Sequence, residues 1–170
     1  MYISWLVFQD FKFQQLCKVR VTDTPQSLPP RRSDLLAASS KYGLTFVGVQ
    51  NGFKVLKTSE FYVQDEKHAS DRLKHIITDF PLLADVNIGY EVTHIQLNAD
   101  ESTLAVAITR PEHVVVYLYD VTSFGGQVSG TVQASHMIVG EGNQRVNDLA
   151  WNPVDTKLLV ICYCTGRLVN

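Results

Sequence analysis

The residue types that could carry chemistry are sparse in this sequence. Cys162 and Cys164 lie two positions apart on a predicted strand, so they face the same side of it, as two zinc ligands would. No second pair with ligand spacing accompanies them, and Cys17 is distant in sequence. The sequence therefore favours buried thiols that pack as small apolar side chains. An odd number of cysteines gives no disulfide framework and is typical of a reducing compartment.

Histidines and glycines give no better candidate site. Gly140 and Gly142 lie in VGEGNQR, which lacks the strand-to-helix context of a phosphate-binding loop. A serine nucleophile elbow is also absent. The sequence therefore predicts no catalytic residue, no cofactor-binding residue and no metal ligand. No histidine forms part of a His-x-x-x-His or His-Glu arrangement, so surface or strand positions are predicted for all of them. The five are His68, His75, His94, His113 and His136.

Composition indicates a globular chain, since 45% of its 170 residues are hydrophobic and 19% are charged. The apolar run 2–8 is too short to span a bilayer and lacks the features of a signal peptide, so we expect a cytosolic or nuclear chain. Residues 1–57 contain eight basic and three acidic residues, whereas residues 58–170 contain seven basic and fourteen acidic residues. The basic residues form no stripe with interleaved aromatics, which excludes a typical nucleic-acid surface and favours solvated sheet edges.

The elements that would position any site are repeated hairpins. Residues 92–107 (VTHIQLNADESTLAVA) and 146–161 (VNDLAWNPVDTKLLVI) align without a gap at a spacing of 54 positions. Each has an alternating strand, a polar turn and a more apolar strand, which indicates two antiparallel strands of a buried sheet. A looser copy runs from 35 to 55, with Asn51-Gly52 as the predicted hairpin turn. In the gapless alignment three pairs of residues coincide: Asn98 with Asn152, Leu104 with Leu158 and Val106 with Val160.

These units predict an all-β fold, a partial β-propeller of the WD40-like type with about three antiparallel blades of an incomplete ring. Chance similarity between hairpins of a sandwich is the alternative. We assign 1–170 to one domain, with a lead-in strand and connection at 1–30. The blades are predicted at 31–64, 86–133 and 134–170, the last one truncated. One short helix or irregular insertion is expected at 70–80, where Leu73, Ile76, Ile77 and Phe80 share a face after a Ser70 cap.

Single residues of this arrangement have predicted packing roles. Asp148 and Trp151 lie on an inferred inner strand, where an Asp tethers a turn and a Trp packs between blades. A strand before the first unit is predicted from the alternation of apolar residues. The chain stops inside the third strand of the third unit, so we expect a fragment or a truncated product whose open sheet edge promotes association. The residues of the predicted lead-in strand are Phe11, Phe13, Cys17, Val19 and Val21.

An ordered set of short motifs resembles the N-terminal β-propeller of the CAN-type nucleoporin, an FG-repeat nucleoporin. The match is dense to about Thr58 and good again from Arg145. Its motifs are Phe11 and Phe13, Lys18-Val19-Arg20-Val21, Asp23 before Pro25, Leu28-Pro29, Arg32-Ser33, Leu35-Leu36-Ala37, Lys41-Tyr42-Gly43-Leu44, Asp120-Val121-Thr122 up to Phe124, and Trp151-Asn152-Pro153.

The resemblance implies a non-enzymatic docking scaffold of the nuclear pore complex, on its cytoplasmic face. In that family the propeller docks the DEAD-box helicase of mRNA export and meets other nucleoporins, without direct nucleic-acid binding or membrane insertion. The lead-in strand would complete the last blade. The single Phe124-Gly125 dipeptide is interpreted as a turn, because an FG-repeat region needs many copies. No residue can be matched to the family's helicase contacts, so partner-binding residues stay unassigned; the polar turns 110–113 and 141–145 are the first to test.

Two other functions remain open from the residues alone. A generic WD40-like adaptor such as a substrate receptor would share the blades, but the Gly-His and Trp-Asp dipeptides of that repeat do not occur here. A propeller hydrolase would gather Asp and His side chains at the central channel.

Overall fold

A computed structural model describes residues 17–22, 29, 34–71, 76–126, 132–140 and 144–165. These residues form twelve strands and one α-helix, α1 (Thr58–Lys67). None of the described helices is long and apolar enough to cross a membrane. The strands are β1 (Lys18–Val19), β2 (Leu36–Ser39), β3 (Leu44–Val49), β4 (Gly52–Lys57), β5 (Ile76–Ile77), β6 (Leu82–Asn87), β7 (Val92–Leu97), β8 (Thr103–Thr109), β9 (Val114–Asp120), β10 (His136–Val139), β11 (Gln144–Trp151) and β12 (Leu159–Thr165).

Three antiparallel sheets follow one another along the chain. The first has the order β2-β3-β4-β6, the second β7-β8-β9-β10, and the third is the hairpin β11-β12. The inner strand β7 contacts β2 and β3 on one side and β11 on the other. We call the first strand of each sheet, β2, β7 and β11, its inner strand. A parallel bridge between Asp34 and His94 shows that the inner strands of the first two sheets run in the same direction. The predicted all-β fold, with three successive sheets of a partial propeller, is confirmed.

The sheets extend beyond the predicted blade limits of 31–64 and 86–133. After α1 the chain returns to the first sheet, where β6 pairs with β4. Likewise β10 pairs with β9, so residues 136–139 belong to the second sheet and not to the third. In both cases an apolar fourth strand satisfies the backbone groups of a strand that would otherwise be an open edge.

Two apolar cores fill the spaces between the sheets. Aromatic rings from the first sheet meet Tyr119 on β9 and Phe124 just after it, and the ring centroids of Phe53 and Tyr119 are 5.0 Å apart. The second core lies between β8, β9 and the third sheet, where Ala105 and Val116 are fully buried against the β11-β12 hairpin. The first and second sheets therefore each bury one face against the next sheet, as in an array of stacked repeats.

The repeat pattern predicted the third hairpin with a slip of one residue. In the second sheet Leu97 pairs with Leu104, but in the third Trp151 pairs with Leu159 and not with Leu158. The turn of the third sheet is thus one residue longer. Since neighbouring residues of a strand face opposite sides, Leu158 is 48% exposed whereas Leu159 packs against the second sheet.

Of the two expectations for 70–80, a short helix or an irregular insertion, the helix is wrong for 76–80, whereas 72–75 lie outside the described residues. Ile76 and Ile77 form β5, a short strand parallel to β1. Ile77 and Phe80 are buried with Leu56 in a third cluster outside the first sheet. The β-branched pair is better accommodated in a strand than in a helix, where its side chains crowd the preceding turn. The single α-helix of the described residues is instead α1, which is weakly amphipathic and has no side-chain cap.

The described part of the lead-in segment does not reach another blade. Arg20 donates its backbone N–H to the carbonyl of Ile77 at 2.8 Å, which extends the β1-β5 pairing. Cys17, Val19 and Val21 pack against the third cluster. Phe11 and Phe13 lie outside the described residues.

The first hairpin turn consists of Gln50 and Asn51, one residue before the predicted Asn51-Gly52, because Val49 pairs directly with Gly52. Gly52 opens β4 with φ at 149°, a conformation that L side chains rarely adopt. A Cβ atom at this position would lie 1.9 Å from the carbonyl oxygen of Val86. The turn is therefore fitted tightly against β6.

We predict that Gly52→Ala lowers the free energy of unfolding by more than about 1 kcal/mol, because both the backbone conformation and the Val86 carbonyl exclude a methyl group. Urea denaturation measures the change. Gly126→Ala is the matched control, since nothing lies within 4 Å of the added methyl group there. Equal stability of the two variants would contradict the structure of this turn.

We also predict that Phe53→Ala lowers the free energy of unfolding by about 3 to 5 kcal/mol. The ring is 0% exposed and lies 5.0 Å from Tyr119 and 5.9 Å from Phe124, so its removal leaves a cavity lined by aromatic side chains. Tyr62→Ala on α1 is the control, because that side chain is 58% exposed. A loss below about 1 kcal/mol at Phe53 would show that this core is not formed.

Candidate interaction surfaces

The turns of the three sheets lie at two opposite ends of the inner strands. We call the end with turns 40–43, 98–102 and 152–158 the first rim. The opposite end, with turns 50–51, 88–91 and 110–113, is the second rim. Turns held on rigid sheets are where repeat proteins usually present binding residues.

Glu101 joins the first two sheets at the first rim. Its carboxylate accepts hydrogen bonds from the Ser39 hydroxyl at 2.7 Å, the Ser40 hydroxyl at 2.9 Å and the Lys41 backbone N–H at 2.7 Å. Its backbone has φ at 61°, the left-handed conformation that a non-glycine residue adopts only when its surroundings fix it. The hydrogen bonds from Ser39 above all, and from Lys41 and Ser40, lower the pKa of the Glu101 carboxyl.

Asn98 makes the corresponding link between the second and third sheets. Its side-chain oxygen accepts from the Thr103 N–H at 2.9 Å, while its amide donates to the Thr156 carbonyl at 3.1 Å. The side chain therefore closes its own turn and also holds the next one. Its repeat partner Asn152 also holds its own turn, but at the start of the turn, where it accepts from the backbone N–H groups of Val154 and Asp155 at 2.8 Å each.

Trp151 packs between the sheets, as predicted. Its indole N–H donates to the Gln96 carbonyl on β7 at 3.3 Å, and its ring belongs to the core between the second and third sheets. Asp148, in contrast, tethers no turn. Its carboxylate accepts from the neighbouring Leu149 N–H at 2.8 Å, next to the register irregularity between Val146 and Asp148. The bulge supplies a local donor, which removes the need for a distant one.

An Asp and a His do meet on the inner strands, as a propeller hydrolase would require. His94 Nε2 lies 3.8 Å from an Asp34 carboxylate oxygen. The same nitrogen is 3.2 Å from the Asn147 carbonyl, and Nδ1 is 3.1 Å from the Thr93 hydroxyl. Because both ring nitrogens face protein groups and the residue is only 6% exposed, His94 joins three sheets and is not presented to a substrate.

The second rim contains an arginine fixed between two tyrosines. Arg110 donates to the Tyr117 hydroxyl at 2.6 Å, and its guanidinium lies 4.7 Å from the centre of the Tyr90 ring. Its Nε atom is buried without a hydrogen-bond partner. Burial, and then the neighbouring Tyr117, raise the pKa of Tyr119 to about 12. The predicted turn 110–113 is therefore ordered by cation–π and hydrogen-bond contacts, whereas 141–143 lie outside the described residues.

A cleft of about 730 Å³ opens at the first rim between the second and third sheets. Asp100 accepts hydrogen bonds from the Ser102 hydroxyl and N–H, which lower the pKa of its carboxyl. Asp120 caps the 3₁₀ turn Val121–Phe124 through the Thr122 N–H at 2.9 Å. Both carboxylates are thus used within their own turns. The cleft is lined by, among others, Asn98, Asp100, Leu118, Asp120, Trp151 and Lys157.

The structure corrects the predicted burial of one cysteine. Cys162 is exposed and Cys164 is half-buried, because the outward face of β12 has no sheet packed against it among the described residues. Cys17 lies elsewhere, beside the Phe61 carbonyl at 3.6 Å, and burial raises the pKa of its thiol. No group of three or more His, Cys, Asp or Glu residues that could hold a metal ion occurs in the part of the chain that the structure describes.

The Phe-Gly dipeptide lies in the core. Phe124 is 0% exposed and ends the 3₁₀ turn Val121–Phe124, with Gly125 as its C-terminal cap. A transport receptor could not reach this ring without unfolding the core. The interpretation as a turn therefore agrees with the structure.

The sequence missed the residues that join the sheets at the rim. The repeat alignment placed Asn98 opposite Asn152, and that coincidence was a usable signal for a turn-closing role. Glu101 gave no signal, because its partners Ser39 and Lys41 are about sixty residues away in sequence. The two ring-nitrogen contacts of His94 likewise depend on long-range packing.

Successive antiparallel sheets with adjacent inner strands define this chain as a repeat protein of the β-propeller class. No family model matches it. Among curated proteins, the human nuclear pore complex protein Nup214 is 31% identical to it over 163 residues, which are 94% of this chain and 8% of the human protein. The predicted resemblance is confirmed: the chain is a relative of the CAN-type nucleoporin. The chain spans less than a tenth of the length of the human protein.

A solved structure gives a weaker likeness. A chain in a crystal structure of the mitotic checkpoint complex superposes with a TM-score of 0.49 at 20% identity, over 84% of this chain and 34% of that one. The assignment of the fold rests on the sheet order and the strand contacts of this chain and not on that superposition.

We predict that Glu101→Gln lowers the melting temperature at neutral pH and that the difference from wild type vanishes in acid. The lowered pKa of the Glu101 carboxyl means that the folded state favours the charged form. The stabilisation is therefore present above the usual value of 4.5 and is lost as the pH falls through the folded-state pKa. Thermal melts between neutral and strongly acidic pH measure this dependence.

Glu112→Gln is the control for this experiment, since that exposed residue lies on the second rim, away from the link. It should leave the melting temperature nearly unchanged at every pH. A Glu101→Gln variant that melts like wild type at neutral pH would contradict the proposed importance of the link.

Proposed function

We propose that this chain acts as part of a non-enzymatic docking scaffold of the nuclear pore complex, at its cytoplasmic face. Its partners would be other nucleoporins and the DEAD-box helicase of mRNA export, without direct nucleic-acid binding or insertion into the membrane. The observation that carries the proposal is the 31% identity to human Nup214 across 94% of the chain.

The geometry of the chain supports a binding role over a catalytic one. The sheets are fixed to each other by side chains such as Glu101, Asn98 and Trp151, so that the rim turns keep constant positions. The polar pair that most resembles a catalytic one, Asp34 and His94, is covered by the Asn147 carbonyl. A rigid surface of this kind binds a partner with little loss of conformational entropy.

We predict that this chain binds the export helicase at least about tenfold more weakly than an intact propeller of the related nucleoporin, because rim contacts usually come from several adjacent blades. The measurement is a fluorescence-anisotropy titration of the labelled helicase with each protein. Restoring the further blades should restore the binding. Equal affinities would place the docking surface within these 170 residues.

Arg110→Ala tests whether the docking surface lies on the second rim of this chain or in the further blades of the propeller. The Arg110 guanidinium orders the turn 110–113 on that rim. The variant should not change the weak binding of the chain if the main contacts lie elsewhere. Val154→Ala, at an exposed position on the first rim, is its control. Failure of both the chain and the intact propeller to bind the helicase would overturn the proposed partner.

A further inference from the structure

The outer strand of the second sheet, β10, has an open edge. Among the described strands it pairs only with β9, which leaves the backbone groups on its other side unpaired. Proteins often protect such an edge with lysine, proline or a bulge, and β10 has none of these. Its residues, which are all exposed, are His136, Met137, Ile138 and Val139. An apolar edge of this kind is suited to receive another strand.

The hydrogen-bond pattern shows which residues present their backbone to the open edge. Gly140 donates its N–H to the Val114 carbonyl at 2.9 Å, so its backbone groups face β9. Backbone groups of consecutive residues in an antiparallel strand point in opposite directions. Ile138 therefore also bonds to β9, whereas Met137 and Val139 direct their backbone N–H and C=O groups towards the open edge.

The side chains of the same two residues lie in a groove between the first and second sheets. Met137 pairs with Tyr117 and Val139 with Val115, so each pair shares a face of the second sheet. Tyr117 and Val115 pack in the core that this sheet shares with the first. Met137 is nevertheless 56% and Val139 50% exposed, because the first sheet does not cover them. Both sheets have four strands, as a propeller blade has, so the groove needs no further strand to complete it.

A cation lies at the second-rim end of this groove. The Arg110 guanidinium is held by the Tyr117 hydroxyl and the Tyr90 ring, and neither group is a carboxylate. The ion pairs among the described residues involve other side chains, so no carboxylate in that part of the chain balances the charge of Arg110. The residue keeps part of its surface exposed. The groove thus combines apolar side chains with one unbalanced positive charge.

We propose that β10 binds an extended segment of a partner protein as a fifth strand of the second sheet. The segment carries an apolar residue beside Met137 and, two positions away on the same face, a glutamate whose carboxylate pairs with Arg110. Backbone hydrogen bonds to Met137 and Val139 provide affinity, and the two side chains of the segment provide specificity. A second copy of this chain fits the edge less well, because its own β10 offers no acidic residue to Arg110. The surface does not depend on the proposed nuclear pore function.

The experiment selects binders from a phage-displayed library of random peptides on the immobilised 170-residue chain. Selected sequences should carry an acidic residue two positions from an apolar one. The affinity of a labelled synthetic peptide of the selected sequence is then measured by fluorescence anisotropy. Val139→Pro should weaken its binding at least about fivefold, because proline removes the N–H at the open edge and no bond to β9. Val139→Ala keeps that N–H and is the matched control, which should bind nearly as tightly as wild type.

The charge is tested with a second variant and a second peptide. Arg110→Gln should weaken the binding of the selected peptide about tenfold, since a hydrogen-bonded charge pair is lost. A peptide with glutamine in place of the glutamate separates this loss from a change in the turn 110–113. Wild type and Arg110→Gln should bind that peptide equally, because no charge pair forms in either case.

Four results would overturn the proposal: no selected peptide, selected peptides without an acidic residue, binding that Val139→Pro leaves unchanged, or an equal effect of Arg110→Gln on both peptides. Sedimentation velocity of the chain alone tests the other occupant. A dimer that Val139→Pro converts to a monomer would show that a second copy takes the edge, and it would also overturn the proposal. Circular dichroism melts establish that each variant is folded. A peptide methylated at the backbone nitrogens that face β10 makes the same test on the wild-type chain, and it should lose its binding.

Discussion

The architecture depends on the close approach of each inner strand to the sheet before it. Where β7 crosses the first sheet, Gly48 has no side chain, and a Cβ atom there would lie 2.9 Å from Leu35 Cδ2 and 3.0 Å from Val92 Cγ1. At the next crossing Ala107 is fully buried. Small residues at these crossings allow the larger side chains around them to interdigitate, and this burial supplies most of the stabilisation of a repeat array.

Hydrophobic burial has no direction, so it does not by itself fix how one sheet is rotated on the next. That task belongs to the polar side chains at the junctions. Glu101, Asn98 and the indole of Trp151 each make a hydrogen bond to a backbone or side-chain group of a neighbouring sheet. His94 adds a fourth link near the inner edge. Because the geometry of such bonds is strict, small rotations of a sheet would break several of them together.

Local pattern predicted the hairpins well, because alternation and turn residues act within a few positions. It also placed Trp151 between sheets. It failed where long-range packing decided the outcome: Ile76 and Ile77 left a helical pattern to pair with β1, and the extra turn residue before Leu159 was invisible to a gapless alignment. The links between sheets at the first rim were unpredictable for the same reason, since Glu101 bonds to residues about sixty positions away in sequence.

The small residues at the two crossings, Gly48 and Ala107, also bear on the shape of a ring built from such sheets. Neighbouring sheets touch there at their inner edges, so the side-chain volume sets how far apart those edges stand. If the outer edges keep their spacing, a smaller residue brings the inner edges closer together and so increases the angle between two neighbouring sheets. Replacing the glycine or the alanine at such a crossing by a larger residue should therefore reduce this angular step, so substitutions at this one position offer a route to a different number of blades.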